Sequence, residues 1–299
     1  MSRVYFGPED DIIDPCWDNA FKAVFTKETA ASKGALTGLL SALLDRKVKA
    51  VQLIANEPAV DSLQDRQIRY DIHCKIDGEE LVDVEMTLHP LKFEPARIEY
   101  YAGELFTGQD IRGGNRGYKD LKRTYQISLL VNGLLFEDGE FLHEFEYYDA
   151  ERKTPLGGRT RIITLELRKI ERILEKPART MTGKERWAVF FKYCTDKEKR
   201  RLINELLEYE EGITMASEAL LIISRDEEER ARLRSEKKYV LDRITALAEA
   251  REEGLEEGLE KGSREKAGEI AVNLLRTGLP AEQIAQITGL SADTVRSLQ

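Results

Sequence analysis

Residues 67–89 read QIRYDIHCKIDGEELVDVEMTLH, and two runs of alternating apolar and polar residues meet there at an Asp-Gly pair. Such a pair between two alternating runs is a strong signal for a β-hairpin. The length of the loop decides which residues share a face, because a shift of one residue turns every side chain of a strand to the other face. Only a loop with an odd number of residues gathers the apolar positions of both strands on one face. We therefore predict a three-residue loop in which Gly78 adopts the left-handed conformation of a bulge.

This register also defines the polar face of the hairpin. It places Asp71 and Glu85 opposite each other or one diagonal apart, with Asp83 beside them. Carboxylates that share a face repel one another unless positive charge lies between them, and a divalent cation would supply that charge. Acidic residues are also common on the solvated face of an antiparallel sheet. The alternating pattern leaves the metal site and the solvated face as two open interpretations.

The net charge limits the kinds of partner. The chain has 299 residues and a formal net charge of −9, which argues against nonspecific binding of nucleic acid, since phosphate contacts require clustered Lys and Arg. A local basic stretch is nevertheless present at residues 112–123, which contain Arg112, Arg116 and Lys119 among glycines. A glycine-rich basic loop allows close approach to phosphates. A simple connection between a helix and a strand would have the same composition, so both interpretations stay open.

The sequence has the features expected of a cytoplasmic protein. The cysteines Cys16, Cys74 and Cys194 are too few and too scattered for a disulfide framework, and no two have the spacing of metal ligands. No run of 18 apolar residues is present, and the N-terminal residues do not resemble a signal peptide. We therefore expect a cytoplasmic protein that does not span a membrane.

The remaining patterns predict an α/β fold. Helices are predicted at residues 15–28, 32–45 and 95–111, and strands at 48–54, 124–131, 141–148 and 161–167. This order predicts a mixed sheet flanked by helices. Beyond residue 170 the chain is rich in charge and poor in strand patterns, which predicts an all-helical C-terminal region. The predicted domains are residues 1–170, a helical extension at 171–250, a Gly-Leu-Glu repeat helix at 251–263 and a small helical tail at 264–299.

Short motifs along residues 14–135 occur in the order and spacing of a known family. The motifs are Asp18–Phe25 (DNAFKAVF), Arg69–Ile72 (RYDI), Asp77-Gly78, Val84–Met86 (VEM), Arg97–Tyr101 (RIEYY), Gln109 and Gly117–Leu121 (GYKDL). Together they resemble the Rpn family of recombination-promoting nucleases, which are transposase-like proteins of PD-(D/E)XK type. The resemblance implies a restriction-endonuclease-like fold and a metal-dependent DNA endonuclease.

The resemblance also implies roles for particular residues. Asp71 and Glu85 would bind Mg²⁺ or Mn²⁺, and the ion would activate water and neutralise charge on the scissile phosphate. Asp18 would be a further catalytic acid, and Thr87 occupies the catalytic position two residues after the glutamate. DNA would be the substrate, and Tyr101 and Gln109 of the next helix would either orient it or simply pack and hydrogen-bond. The composition of the basic loop adds Arg112, Arg116 and Lys119 as candidate substrate contacts.

Thr87 departs from the family pattern. The family usually has Gln or Lys at this position, where a lysine orients the attacking water or stabilises the charge that develops on the phosphate. Threonine has no charge and a short reach, so we expect weak cleavage that Thr87→Lys or Thr87→Gln raises about tenfold or more. Lys75 and His73, on the same strand face, are the next candidates for the missing donor. The alternative functions are a nuclease fold that binds DNA without turnover and an oligomeric scaffold.

Two further patterns lie at the end of the chain. Glycines recur every four residues at 254, 258 and 262, which on a helix forms a groove suited to close helix packing, for example between protomers; a frayed linker is the alternative. Residues 278–295 resemble a helix-turn-helix. Residues 264–299 carry four basic and four acidic residues, so we favour a module that packs or joins protomers over one that reads DNA bases. We therefore expect a homo-oligomer held through the C-terminal helices.

Overall fold

The computed structural model of the chain describes residues 5–56, 68–111 and 117–298. The chain divides into two compact units, of which the first ends at Arg234 and the second begins at Ser235. No helix within the described ranges is long and apolar enough to cross a membrane. The predicted domain boundaries at residues 170, 250 and 263 stay predictions.

The strands are β1 (Val51–Leu53), β2 (Ile72–Ile76), β3 (Glu80–Thr87), β4 (Thr124–Leu130), β5 (Leu142–Phe145) and β6 (Thr160–Glu166). The helices are α1 (Asp18–Phe25), α2 (Ala30–Leu43), α3 (Glu94–Thr107), α4 (Gly183–Tyr193), α5 (Arg200–Leu206), α6 (Glu211–Arg225), α7 (Glu227–Arg276), α8 (Ala281–Thr288) and α9 (Ala292–Ser297).

Six strands among the described residues form one mixed sheet in the order β1-β2-β3-β4-β6-β5. The β3–β4 and β4–β6 pairs are parallel, and the other pairs are antiparallel. This arrangement confirms the predicted mixed sheet flanked by helices. β6 forms from a segment that alternates only in part, and it lies inside the sheet rather than at its edge. Most of its residues are buried. A strand that is covered on both faces is typically a continuous apolar run rather than an alternating one, which explains the weak alternation of this segment.

The hairpin formed by β2 and β3 has the predicted register. Ile76 pairs with Glu80, which leaves a three-residue loop at residues 77–79. Gly78 has a φ of 75°, the left-handed conformation that glycine adopts without steric cost. The apolar positions of both strands therefore share one face of the sheet.

The apolar face belongs to the main hydrophobic core, together with buried residues of α1, α2, α4 and α6. α2 and α6 approach so closely that a Cβ atom on Gly38 would lie 2.5 Å from the Cα atom of Gly212. α4 contributes Trp187, Phe190 and Phe191, which are at most 2% exposed. Helices that follow residue 170 thus complete the same core as the sheet.

The polar face of the sheet is covered rather than solvated. α3 contacts β3, β4 and β6, and its buried apolar residues are Ile98, Ala102 and Leu105. Beneath it, Asp83 is fully buried and Glu85 is 3% exposed. The interpretation of this face as a solvated surface therefore does not hold.

The unit that begins at Ser235 is helical. α7 continues through residues 254–262, so the glycine repeat is helical rather than frayed. The end of α7 forms a small core with α8 and α9, in which the most buried residues are Ala271, Ile284 and Val295. Gly289 ends α8 with a φ of 74°, and the side chain of Ser291 caps α9 by accepting a hydrogen bond from the Thr294 N–H. This helix-turn-helix confirms the pattern predicted for residues 278–295.

Candidate active site

Asp71 and Glu85 are joined through the main chain at the open end of the hairpin. The backbone N–H of Asp71 donates to Glu85 Oε1 at 2.9 Å, and the N–H of Met86 donates to Asp71 Oδ2 at 3.0 Å. Asp71 directly precedes β2 and continues its register opposite Glu85. Each carboxylate therefore has one oxygen fixed by the backbone and a second oxygen left for another partner.

A basic side chain binds the second oxygen of each carboxylate. Lys22 Nζ lies 2.8 Å from Asp71 Oδ1 and 2.6 Å from Asp18 Oδ1. Arg97 Nη2 lies 2.6 Å from Glu85 Oε2. Lys22 belongs to α1 and Arg97 to α3, so two different helices supply positive charge to the acid pair.

Arg97 also links the end of β3 to the start of α3. Its Nη1 donates to Glu94 Oε1 at 2.7 Å and to Thr87 Oγ1 at 3.3 Å. The Thr87 hydroxyl donates to the same Glu94 oxygen at 3.3 Å. Glu94 is only 4% exposed, and it begins α3, where the helix dipole favours a negative charge. The side chain of Thr87 therefore lies beside a guanidinium group.

Burial and mutual repulsion disfavour negative charge on the acids. Burial raises the pKa of Glu85 to about 7, and the neighbouring Asp71 carboxylate adds to this shift. The pKa of Asp71 is raised by burial and by Asp18. Complete burial raises the pKa of Asp83 well above its usual value, and Glu85 contributes. An additional positive charge at this position would relieve the repulsion.

Buried polar residues continue from the acid pair across the sheet. Glu85 is in register with Ser128, and Ser128 is in register with Thr164. Asp83 is in register with Gln126. The hydroxyl groups of Ser128 and Thr164 have no hydrogen-bond partner among the described residues. The face beneath α3 next to the acids is therefore lined by buried polar side chains.

The donor set of the acid pair fits a hard divalent cation. Carboxylate oxygens suit Mg²⁺ and Mn²⁺, whereas zinc prefers His and Cys ligands. In the part of the chain that the structure describes, no group of three or more His, Cys, Asp and Glu side chains is arranged to hold a metal ion. Mg²⁺ commonly binds only one or two carboxylates and keeps several waters. Asp71 and Glu85 therefore fit such an ion if water, a backbone carbonyl or substrate oxygens complete its shell.

Two of the predicted substrate contacts lie on or directly after α3. The Tyr101 ring packs edge-on against Tyr70 at 5.8 Å, and the Arg97 guanidinium lies 4.9 Å from its centre. Both amide atoms of Gln109 bond to the backbone of Lys122, at 3.1 and 2.6 Å. Tyr101 thus lies next to Arg97, which binds Glu85, whereas Gln109 holds the connection that leads into β4.

The other predicted substrate contacts belong to the basic loop. Lys119 is exposed in the short 3₁₀ helix Tyr118–Asp120. Arg112 and Arg116 lie outside the described residues. The role of this loop in phosphate binding stays a prediction.

The sequence patterns do not identify Lys22, Arg97 and Glu94 as site residues. Lys22 follows Asp18 by four residues, which places both on one face of α1, and this spacing is a usable signal for the ion pair. Arg97 and Glu94 reach the acid pair only because α3 folds back over the sheet. No local pattern specifies that packing.

The raised pKa of Glu85 makes the stability of the fold depend on pH. A glutamate whose pKa rises from 4.5 to about 7 on folding contributes stability that is fully present below pH 4.5 and is lost as the pH rises through about 7. In a chelating buffer, the melting temperature of a Glu85→Gln variant is therefore expected to increase relative to that of the unaltered protein between about pH 5 and pH 8. Thermal unfolding followed by circular dichroism measures this difference. A constant difference over this range would show that Glu85 titrates as an ordinary glutamate.

Two protein-family models match the chain. A model described as PD-(D/E)XK nuclease family transposase matches residues 15–250, which is more than half of the chain. A model described as Rpn/YhgA-like nuclease family, C-terminal HTH domain, matches residues 264–299. Neither a curated protein nor a solved structure matches the chain. The first model covers Asp71 and Glu85 together with Lys22 and Arg97, the two basic residues that bind them. The second model covers α8 and α9.

Proposed function

Because the chain belongs to the PD-(D/E)XK nuclease family transposases, we propose that it is a metal-dependent DNA endonuclease that hydrolyses phosphodiester bonds. Asp71 and Glu85 are its metal-binding pair. The observation that carries the proposal is the geometry of these two carboxylates. The backbone holds one oxygen of each, and a side-chain cation binds the other.

Lys22 and Arg97 bind the oxygens that a metal ion would use. Lys22 also contacts Asp18, whose side chain is 56% exposed. When an ion binds Asp71, Lys22 can keep its ion pair with Asp18 and remain charged beside the site. Asp18 thus acts by retaining Lys22 rather than by binding the ion.

A divalent ion at this pair supplies the charge that activates water and neutralises the scissile phosphate. Asp71 and Glu85 orient the ion, and α3 limits the access of bulk water to Glu85. Glu85, whose pKa is raised to about 7, would have to be deprotonated to hold the ion, because metal ligands must be deprotonated. Affinity for the ion therefore rises with pH up to this value.

A second candidate function is DNA binding with little turnover. Thr87 has no charge, and its hydroxyl is engaged by Glu94 and Arg97. The threonine by itself therefore cannot stabilise the charge that develops on the phosphate during hydrolysis.

Incubation of purified protein with supercoiled plasmid tests the nuclease proposal. We expect nicked and linear DNA with Mg²⁺ or Mn²⁺ and unaltered DNA in the presence of a chelator. Titration calorimetry is expected to detect Mn²⁺ binding that Glu85→Ala removes. If no ion supports cleavage while Mn²⁺ and DNA still bind, the second candidate function is correct. If Mn²⁺ binding is negligible in both proteins, the metal site is rejected.

We also propose that the C-terminal helix-turn-helix contributes to DNA binding. The match of residues 264–299 to a C-terminal HTH domain supports this role. The charge of the tail limits the strength of this DNA binding. Arg296 of α9 is already paired with acidic residues, since it lies 2.5 Å from Glu282 and 2.7 Å from Asp293. A tail with so few available cations would make only a small number of phosphate contacts.

Deletion of residues 250–299 is expected to lower the affinity for duplex DNA and to reduce its salt dependence slightly. Fluorescence anisotropy with a labelled duplex in Ca²⁺, at several salt concentrations, measures both. Mn²⁺ binding serves as the control and should not change, since Asp71 and Glu85 lie in the other unit.

Light scattering of the same truncated protein tests the predicted homo-oligomer. Unchanged DNA affinity with a smaller oligomer would assign the tail to protomer association instead.

A further inference from the structure

We propose that Arg97 is a catalytic residue that supplies, from α3, the positive charge that Thr87 lacks at the end of β3. This inference rests on the proposed nuclease function and names the group that contacts the scissile phosphate. Arg97 Nη1 is 3.3 Å from Thr87 Oγ1, and Nη2 is 2.6 Å from Glu85 Oε2. Its guanidinium therefore lies between Glu85, the proposed metal ligand, and Thr87, which follows Glu85 by two residues on β3.

The surroundings of Arg97 hold this charge in place. Glu94, at the start of α3, binds Nη1 at 2.7 Å, and the Tyr101 ring lies under the guanidinium at 4.9 Å. An arginine guanidinium stays protonated in proteins. The guanidinium is thus charged and oriented before substrate arrives.

Arg97 also retains the capacity to bind a phosphate. A guanidinium has five N–H donors, and the contacts with Glu94, Thr87 and Glu85 use three of them. The side chain is 40% exposed, so a phosphate oxygen can approach it from solvent. Guanidinium groups match phosphate oxygens with paired donors.

Three other basic groups on or near the hairpin, Lys22, Lys75 and His73, are less well placed. Lys22 contacts Asp71 and Asp18, at the opposite member of the acid pair. Lys75 pairs with Leu81, near the loop of the hairpin. His73 directs Nδ1 to the carbonyl oxygen of Ala55 at 2.7 Å. Of these side chains and Arg97, the arginine is the one with a hydrogen bond to Thr87.

The role of Arg97 follows from the chemistry of hydrolysis. The oxygen of water forms a bond to phosphorus, the bond between phosphorus and the leaving oxygen breaks, and that oxygen takes up a proton. One DNA end carries a phosphate monoester and the other a hydroxyl. Negative charge builds up on the non-bridging and leaving oxygens during this step, and fixed donors aimed at that charge lower the barrier.

Cleavage by Arg97→Gln under single-turnover conditions with Mg²⁺ tests the inference. The rate is expected to fall about 10²-fold or more, the usual effect of losing one such donor. Mn²⁺ affinity should stay the same or increase, because Arg97 competes with the ion for Glu85 Oε2. Arg201→Gln is the matched control, since Arg201 is 93% exposed and, among the described residues, forms its ion pair with Glu205 of the same helix, and it should leave the rate unchanged.

The double variant Thr87→Lys/Arg97→Gln returns a positive charge to the strand. It is expected to cleave at least about tenfold faster than Arg97→Gln alone. Thr87→Lys in the presence of Arg97 would place two cations side by side, so we expect no increase in rate. This expectation of an unchanged rate replaces the increase in cleavage rate that the sequence alone predicts for Thr87→Lys.

Several results would overturn the inference. Equal cleavage by Arg97→Gln and the unaltered protein would reject it while leaving the nuclease function intact. Loss of Mn²⁺ binding in Arg97→Gln, or no recovery in the double variant, would show that Arg97 only positions Glu85. If the unaltered protein binds Mn²⁺ but does not cleave DNA, the nuclease function fails and the inference fails with it.

Discussion

Replacement of Asp71 with asparagine is expected to abolish metal-dependent cleavage, with a loss of about 10³-fold or more. In the proposed mechanism the substitution removes one of the two charges that would hold the ion, and such an ion would contribute several kcal/mol of charge stabilisation, where each 1.36 kcal/mol is about tenfold in rate. The asparagine carbonyl can still accept the hydrogen bond that the Met86 N–H donates to Asp71 Oδ2. The hairpin should therefore keep its register while the site loses its ion.

The matched control for this experiment is Asp149→Asn. Asp149 is an exposed aspartate that accepts a hydrogen bond from the Arg152 N–H at 2.7 Å, and asparagine can accept the same bond. Plasmid cleavage, Mn²⁺ calorimetry and thermal unfolding should be unaffected by the control. Residual cleavage by Asp71→Asn within tenfold of the control would mean that the ion is held elsewhere.

The register of the acidic hairpin could be predicted because it depends on local sequence. Alternation identifies the two faces of each strand, and the requirement for one common apolar face leaves only an odd loop. Gly78 at a φ of 75° and the pairing of Ile76 with Glu80 agree with that argument. The juxtaposition of Asp71 and Glu85 follows directly, since both residues lie on this hairpin.

The surroundings of the acid pair could not be predicted because they depend on distant packing. The alternating pattern also fits a wet polar face, and only the position of α3 shows that Asp83 and Glu85 are buried. The same helix brings Arg97 beside Thr87. A threonine in place of a lysine therefore indicates a weak site when the strand is considered alone, whereas the folded chain provides a guanidinium at that place.

The boundary of the core is a second feature that local sequence does not define. The change from strand patterns to charge-rich helices near residue 170 predicts the end of a domain. The main core nevertheless includes α4 and α6, which follow that position. Helices α2 and α6 cross where Gly38 meets Gly212, at a distance that leaves no room for a side chain. A pair of glycines far apart in the chain carries no sequence signal for such a contact.

A chain that ends at residue 170 is expected to remain unfolded, whereas one that ends at residue 234 is expected to fold. The shorter chain lacks Trp187, Phe190 and Phe191, and removal of each such buried aromatic group costs about 3–5 kcal/mol. Their sum is comparable to the whole stability of a domain, about 5–15 kcal/mol, before the loss of α6 is considered. Circular dichroism and denaturant unfolding of the two truncated proteins measure the difference. Cooperative unfolding of the shorter chain would show that residues 171–234 are dispensable and would support a domain boundary at residue 170.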